Sequence, residues 1–295
     1  MAPLTRPRHS HRSGRFRAKQ AILYGLMLLV LIAILAPFAW LLISSVSRPV
    51  DLLDKPLRFI PSEISLDRYA ALKIGADADP AAEGFRAAML NSLTIATVVT
   101  GIALVVGVPA AYAFARLRFP GRGRLVLIFM ATYMLPPIAL VIPLYQIMSG
   151  LDLLDSKAAL IIIYSSFVTP FVIWIMRGYI EGISPELDDA ARVDGCSRLG
   201  ALIRVILPIS APGLISTGLL AFLLAWDEFF YALVMTQTNA AKTVPVALND
   251  FIGRHGIDFG MLAAGGVIAA IPPVIIALVF QRYLVAGLTA GGVKG

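Results

Sequence analysis

Polar and apolar residues fall along this chain in long blocks, not with the short periods of a soluble fold. Six blocks run without an Asp, Glu, Lys or Arg: 21–47, 87–115, 125–151, 158–176, 205–226 and 259–281. About 20 residues of helix cross the hydrocarbon of a bilayer, and each block meets or approaches that length. The block 158–176 is at the short end, and Arg177 beyond it can snorkel to the interface. The pattern predicts an all-α, polytopic membrane protein with six transmembrane helices. An even number of spans leaves both termini on one side.

The polar stretches between the blocks are mostly ordinary connections. The exception is 184–208, SPELDDAARVDGCSRLGALIRVILP. Ser184 caps a helix and Pro185 takes its first position. Glu186, Asp188 and Asp189 put negative charge in the first turn, where the helix dipole favours it. Leu187, Ala190 and Ala191 recur at i, i+3, i+4 and predict a small, flat apolar face. Asp194 and Gly195 follow, the glycine as a stop. A second short helix is predicted from Leu199, Leu202, Ile203 and Ile206, and Pro208 marks the start of the next span. Two short amphipathic helices joined by a glycine, held against a membrane, form a docking device for another protein.

Composition agrees with the pattern. Of 295 residues, 58% are hydrophobic and 15% charged, and the mean hydropathy is +0.82; an average soluble domain is about 25% charged. One membrane domain, 20–286, is expected between a tail 1–19 and a tail 287–295. The net charge of +7 does not point to nucleic acid, because the basic residues crowd at membrane edges and suit anionic headgroups. Arg6, Arg8, Arg12, Arg15, Arg17 and Lys19 precede the first span with no acid among them. That span is too long for a signal peptide and ends in no small-residue cleavage site. With the amino terminus inside, Arg116, Arg118, Arg122, Arg124, Arg177, Arg192, Arg198, Arg204 and Arg282 also fall inside. The positive-inside rule therefore makes 184–208 cytoplasmic, and 48–86 and 236–258 outer loops. Proline recurs within the spans, at Pro37, Pro109, Pro136, Pro137, Pro143, Pro170, Pro272 and Pro273. Hydrocarbon tolerates such breaks where neighbours or a cavity satisfy the backbone. Curved helices around a pathway fit this, and kinks absorbed by packing account for any one of them. The single cysteine, Cys196, excludes an internal disulfide. His9 and His11 lie in the tail and His255 in an outer loop, so no metal site and no Ser-His-Asp set is expected.

The island 184–208 resembles the EAA loop of bacterial ABC importer permeases, a Glu-Ala-Ala followed by Gly six residues after the Glu, then an aliphatic residue and Leu-Pro. Asp189, Ala190, Ala191, Gly195, Val205, Leu207 and Pro208 stand at that spacing, with Asp for Glu at 189. Asn91-Ser92 near the start of the second span and Trp226-Asp227-Glu228-Phe229 in the fifth are similar to stretches of the same family. The ending, Gln281-Arg282-Tyr283 with Gly287 to Gly295, resembles that of the second permease of maltose-type carbohydrate importers. The resemblance covers roughly 20–295. It implies a permease subunit in a cell inner membrane, paired with a second homologous permease above two ATPase subunits and below a solute-binding protein. A carbohydrate-like solute is the expected cargo.

That implication assigns residues to roles. Glu186, Leu187, Asp189, Ala190, Ala191, Asp194 and Gly195 would couple to an ATPase subunit. Asn91, Trp226, Asp227, Glu228 and Tyr231 are candidates for the translocation pathway. Intramembrane carboxylates are costly and face protein or water, so Asp227 and Glu228 either line the pathway or form a structural pair. Trp226 and Tyr231 either stack on sugar or belong to an interfacial belt. Asn239 and Lys242 would meet the binding protein, and Gly291, Gly292 and Lys294 an ATPase interface. The chain has no G-x-x-x-x-G-K-[ST] phosphate loop, so no cofactor of its own is expected, and ATP with Mg belongs to partner subunits. An ion-coupled secondary transporter is the alternative. Such proteins often show internal repeats, none is evident here, and they need no docking helix.

Overall fold

The computed structural model describes residues 12–53, 59–74, 80–132, 135–253 and 256–292. The expectations for tail residues before 12, for His255 and for Lys294 lie outside the described residues.

Helix α1, Arg12–Val46, carries the first apolar block. Two short helices follow in the outer segment, α2 at Pro49–Leu53 and α3 at Asp67–Ile74. Asp51 is buried and its carboxylate accepts from the Ser62 N–H at 3.1 Å and hydroxyl at 2.7 Å. Arg68 donates to the carbonyls of Ser45 and Ser47 and so satisfies the end of α1. The second block sits in α4, Pro80–Arg116, which starts seven residues before the apolar run because Pro80 is suited to a first turn.

The third block does not form one helix. It is divided into α5, Arg122–Thr132, and α6, Pro137–Gly150. Neither is long enough to cross alone. Pro136 and Pro137 cause the break, since proline lacks the N–H that an interior position needs and restricts the residue before it. The fourth block is α7, Lys157–Glu181, longer than its apolar run at the far end. There Glu181 pairs with Arg177 at 2.8 Å and Arg122 at 3.1 Å, so charge lies on the helix itself.

The island forms α8, Glu186–Val193, and α9, Arg198–Ala201, followed by a π turn at Leu202–Ile206 and α10, Leu207–Ile209. The fifth span was expected to begin at 205. It begins after Ser210, as α11, Ala211–Trp226. The segment Arg198–Ile209 meets it at 84°. Pro208 and Pro212 flank the corner and each lacks the N–H a continuous helix would use. Beyond α11 come α12, Phe230–Met235, α13, Val244–Asn249, and a two-residue hairpin, β1 Ile252–Gly253 with β2 Gly256–Ile257, pairing Ile252 with Ile257. Helix α14 runs Phe259–Gly292. The last apolar block ends at Gln281, and a tail was expected from 287. The backbone instead stays helical through Gly292, so 287–292 advances about 1.5 Å per residue and not the 3.3–3.6 Å of extended chain.

Helices α4 and α7 make the most extensive pairing, with α11 laid across both and α14 on α11. Ile95 and Val99 of α4 and Ile163, Tyr164, Val168 and Met176 of α7 are wholly buried between them. Gly107 makes the approach possible, because a Cβ there would lie 2.8 Å from Val172 Cγ1. Helix α1 contacts α14, yet its side chains from Ile22 to Phe38 stay exposed. Among the described residues four helices are long and apolar enough to cross a membrane, five if the bent pair counts as one. The α5–α6 pair covers the remaining predicted span as two pieces.

Candidate functional site

Local sequence builds the island as the pattern predicts. The Pro185 carbonyl accepts from the N–H groups of Asp188 and Asp189. Gly195 adopts φ +85°. Its N–H donates to Arg192 O at 3.1 Å and the Cys196 N–H to Ala191 O at 3.0 Å. Those two bonds close α8 with a Schellman turn, which a left-handed glycine permits. Ser197 then caps α9 by accepting from the Gly200 N–H at 3.1 Å.

The two faces of α8 differ from the expectation. Leu187 and Ala190 are exposed, as are Glu186, Asp189, Asp194 and Gly195. Ala191 is 5% exposed and packs inward. The face Leu187, Ala190, Ala191 is therefore not one docking surface; Ala191 shares the inner face with Asp188, three residues earlier. The second helix departs too. Leu202 and Ile206 are buried, whereas Leu199 and Ile203 are exposed. The π turn lengthens the period, so residues four apart share a side and those three apart do not.

Asp188, which sequence reasoning took only for a first-turn charge, is the residue that ties the island down. Its Oδ1 accepts from the Tyr112 hydroxyl at 2.7 Å. Its Oδ2 lies 2.7 Å from Arg116 Nε, both side chains 10% exposed. A terminal nitrogen of Arg116 donates to Ile183 O at 2.6 Å. Tyr112 and Arg116 sit four apart on the last turns of α4. That spacing, with an aromatic hydroxyl and a cation at a span end, was the available signal.

At the other end of the chain's spans, the segment 236–243 is held by three elements. Asp155, in the turn between α6 and α7 at φ +55°, accepts from the N–H groups of Gln237 at 3.0 Å and Thr238 at 3.1 Å and from the Thr238 hydroxyl at 2.6 Å. Burial works to raise its pKa, but those hydrogen bonds and nearby Lys242 hold it below the ordinary carboxylate value. Asn91 donates to the carbonyls of Asn239 and Lys242, both at 3.0 Å. Ser92 accepts from the Val244 N–H at 2.8 Å. Lys242 pairs with Asp250 at 2.8 Å, its side chain 17% exposed, and Asn239 is exposed.

The five pathway candidates separate. Asn91 is buried and engaged as above. Trp226 is buried and stacks on Phe222, and Tyr231 is buried and stacks on Phe167. Glu228 accepts from the N–H groups of Tyr231 at 2.9 Å and Ala232 at 3.2 Å, a cap on the first turn of α12. Asp227, at the end of α11, is the exposed one. Among the described residues no group of His, Cys, Asp and Glu could hold a metal.

Comparison with known proteins bears on the whole arrangement. Residues 103–290 match the profile of the family described as binding-protein-dependent transport system inner membrane component. The trehalose transport system permease protein SugB of Mycobacterium tuberculosis is 37% identical over 88% of this chain and 93% of its own length. The trehalose/maltose transport system permease protein MalG of Thermococcus litoralis is 38% identical over 93% and 96%. The sulfoquinovosyl glycerol transport system permease protein SmoH of Agrobacterium fabrum is 35% identical over 88% and 89%. In three dimensions the chain resembles a subunit of a bacterial ABC transporter involved in import of the acidic polysaccharide alginate, with TM-score 0.73 and 24% identity over 94% of this chain and 99% of that one. The chain belongs to the family of binding-protein-dependent transport system inner membrane components, as the non-catalytic, membrane-embedded permease subunit of an ABC importer that works with separate ATPase partners.

Proposed function

We propose that this permease admits a carbohydrate-like solute, together with a second homologous permease, and is driven through α8 by an ATPase subunit on the cytoplasmic side. One observation carries the reading: α8 is a short, glycine-terminated helix with a buried face tied to the chain's own span and an outer face left uncovered. Its outer residues Glu186, Leu187, Asp189 and Ala190 are exposed, and Asp189 and Ala190 belong to the motif. Both termini and the island then lie in the cytoplasm, as the placement of Lys and Arg supports. ATP and Mg belong to the ATPase subunits, and ATP-driven closure biases the permease only so far as those subunits distinguish its two states energetically.

The segment 236–243 faces the solute-binding protein in this reading. Its exposed Gln237, Thr238 and Asn239 form the contact, and Asp155, Asn91 and Ser92 hold it ready. Lys242 supports the segment through Asp250 more than it reaches outward. Asp227 is the candidate for a polar lining of the pathway. Gly291 and Gly292 bring the end of α14 towards the ATPase interface as a helix. The sugars and glycosides for which the relatives are named support a carbohydrate-like cargo, and the family assignment displaces the ion-coupled alternative.

Co-purification tests the reading. The chain should bring with it two ATPase subunits and a second permease, and the binding protein with its solute should stimulate ATP hydrolysis by that complex. Recovery of the chain alone under mild solubilisation would overturn it. Titration of the cognate binding protein with a panel of di- and trisaccharides names the cargo.

A further inference from the structure

We infer that Asp188 is a positioning residue: with Tyr112 and Arg116 it clamps α8 to the end of α4, so that a displacement of α8 reaches α4 as a rigid movement. The inference rests on the proposed role of α8 in coupling.

Besides the short non-helical link 182–185 back to α7, two routes lead from α8 to the membrane helices. The covalent route passes the left-handed turn at Gly195, the short α9, the π turn at Leu202–Ile206, Pro208 and the 84° corner at Ser210. Every one of these is a place where a helix is interrupted, and an interrupted helix bends before it transmits. The second route is not covalent, and the proline it meets, Pro109, sits inside an unbroken helix. Tyr112 and Arg116 belong to one continuous helix of 37 residues that packs along α7 and under α11.

The clamp is specific in its chemistry. A carboxylate has two oxygens, and here each is taken by a different group of α4, one by a hydroxyl and one by a cation. Arg116 then reaches past Asp188 to Ile183 O, so its guanidinium holds both the lead-in to α8 and its first turn. One contact on α8 and one on its lead-in restrict pivoting about either. Asp188 is 7% exposed. Removing one partner of a buried charge pair leaves the other uncompensated, so the clamp stays closed while α8 is pushed. The clamping face, Asp188 and Ala191, is separate from the exposed face, Leu187 and Ala190, so the two roles can be separated by substitution.

The test uses the assembled complex with its second permease and ATPase subunits in lipid nanodiscs, with Cys196→Ala. Spin labels go at Val193→Cys on α8 and Val105→Cys on α4, both exposed positions. Electron–electron distance distributions are recorded without nucleotide and with Mg-ATP and vanadate. The parent complex should give one narrow distribution that does not shift between the two conditions. Asp188→Asn keeps the shape and removes the charge; its distribution should broaden and shift with nucleotide while the ATPase subunits remain bound. A parent distance that changes with nucleotide, or an Asp188→Asn distance as narrow and constant as the parent's, overturns the clamp. Should Asp188→Asn fail to assemble, Tyr112→Phe decides, since it deletes a single oxygen and leaves the ion pair; a distribution identical to the parent's is then the overturning result. Failure of the ATPase subunits to bind the parent chain would instead remove the functional reading, and the clamp with it.

Discussion

Gly107 packs α4 directly on α7, and Val172 occupies the space a Cβ would need. Valine is stiff about χ1 and cannot swing clear, so Gly107→Ala should cost about 1–3 kcal/mol through overpacking and lower the thermal midpoint in detergent. Gly101, on the same helix, has nothing within 4 Å of that position. Gly101→Ala should leave the midpoint unchanged or raise it, by about 0.5–1 kcal/mol of backbone entropy. Asp155 gives a prediction in pH. Its folded pKa lies below the ordinary value, so the hold on 236–243 is complete above the ordinary carboxylate range and is lost as pH falls through the folded value. Protection of the Gln237 and Thr238 amides from hydrogen exchange, taken relative to their intrinsic rates at each pH, should therefore fall on acidification. In Asp155→Asn, which tolerates the left-handed backbone, that protection should be lower at neutral pH and lose its dependence on the carboxylate. Side chains of this kind were the least legible in the sequence. Asn91, Trp226 and Tyr231 read as pathway candidates because they are polar or amphipathic in apolar surroundings. A helix apolar on every side offers no period to separate the face that packs from the face that does not, and these three pack inward.

Among the elements, α8 makes the sharpest distinction. Leu187→Arg places a charge on the exposed face and should release the ATPase subunits while the permease keeps its thermal midpoint. Ala191→Arg places it on the inner face, where a charge has no partner, and should lower the midpoint itself; Ala191 is thus the wrong residue for probing the partner surface. Equal loss of ATPase binding without loss of stability in both variants would show that α8 is turned otherwise. The start and stop of α8 could be read directly, from Pro185, three acids and Gly195, because caps are local chemistry. Its orientation could not, since Asp188 and Asp189 are alike in sequence and opposite in environment. The breaks in the spans were legible only as prolines. Pro136 and Pro137 divide a block, whereas Pro109 and Pro170 are absorbed inside continuous helices. What decides is whether neighbouring helices satisfy the freed carbonyls, and that is not a property of the residue.

At the scale of the whole molecule, the membrane class and helical fold followed from block length, and the family assignment agrees with them. The apolar length of α1 leaves it largely uncovered by the rest of the chain, as suits a helix bathed in lipid or met by a second subunit. Helix α4 is where the distant parts meet. Near one end Asn91 and Ser92 hold the segment 239–244, and near the other Tyr112 and Arg116 hold α8. A helix advances 1.5 Å and turns about 100° with each residue, so the angular phase between those two pairs is set by the number of residues separating them. Substitutions between Ser92 and Tyr112 leave the phase alone. An insertion or deletion of one residue there would turn one grip about a quarter circle away from its target while the other still holds. At its exposed positions the stretch should accept substitution, but nowhere a change of length, a pattern that a library of single-residue insertions across α4, scored for uptake, would display as a sharply bounded gap.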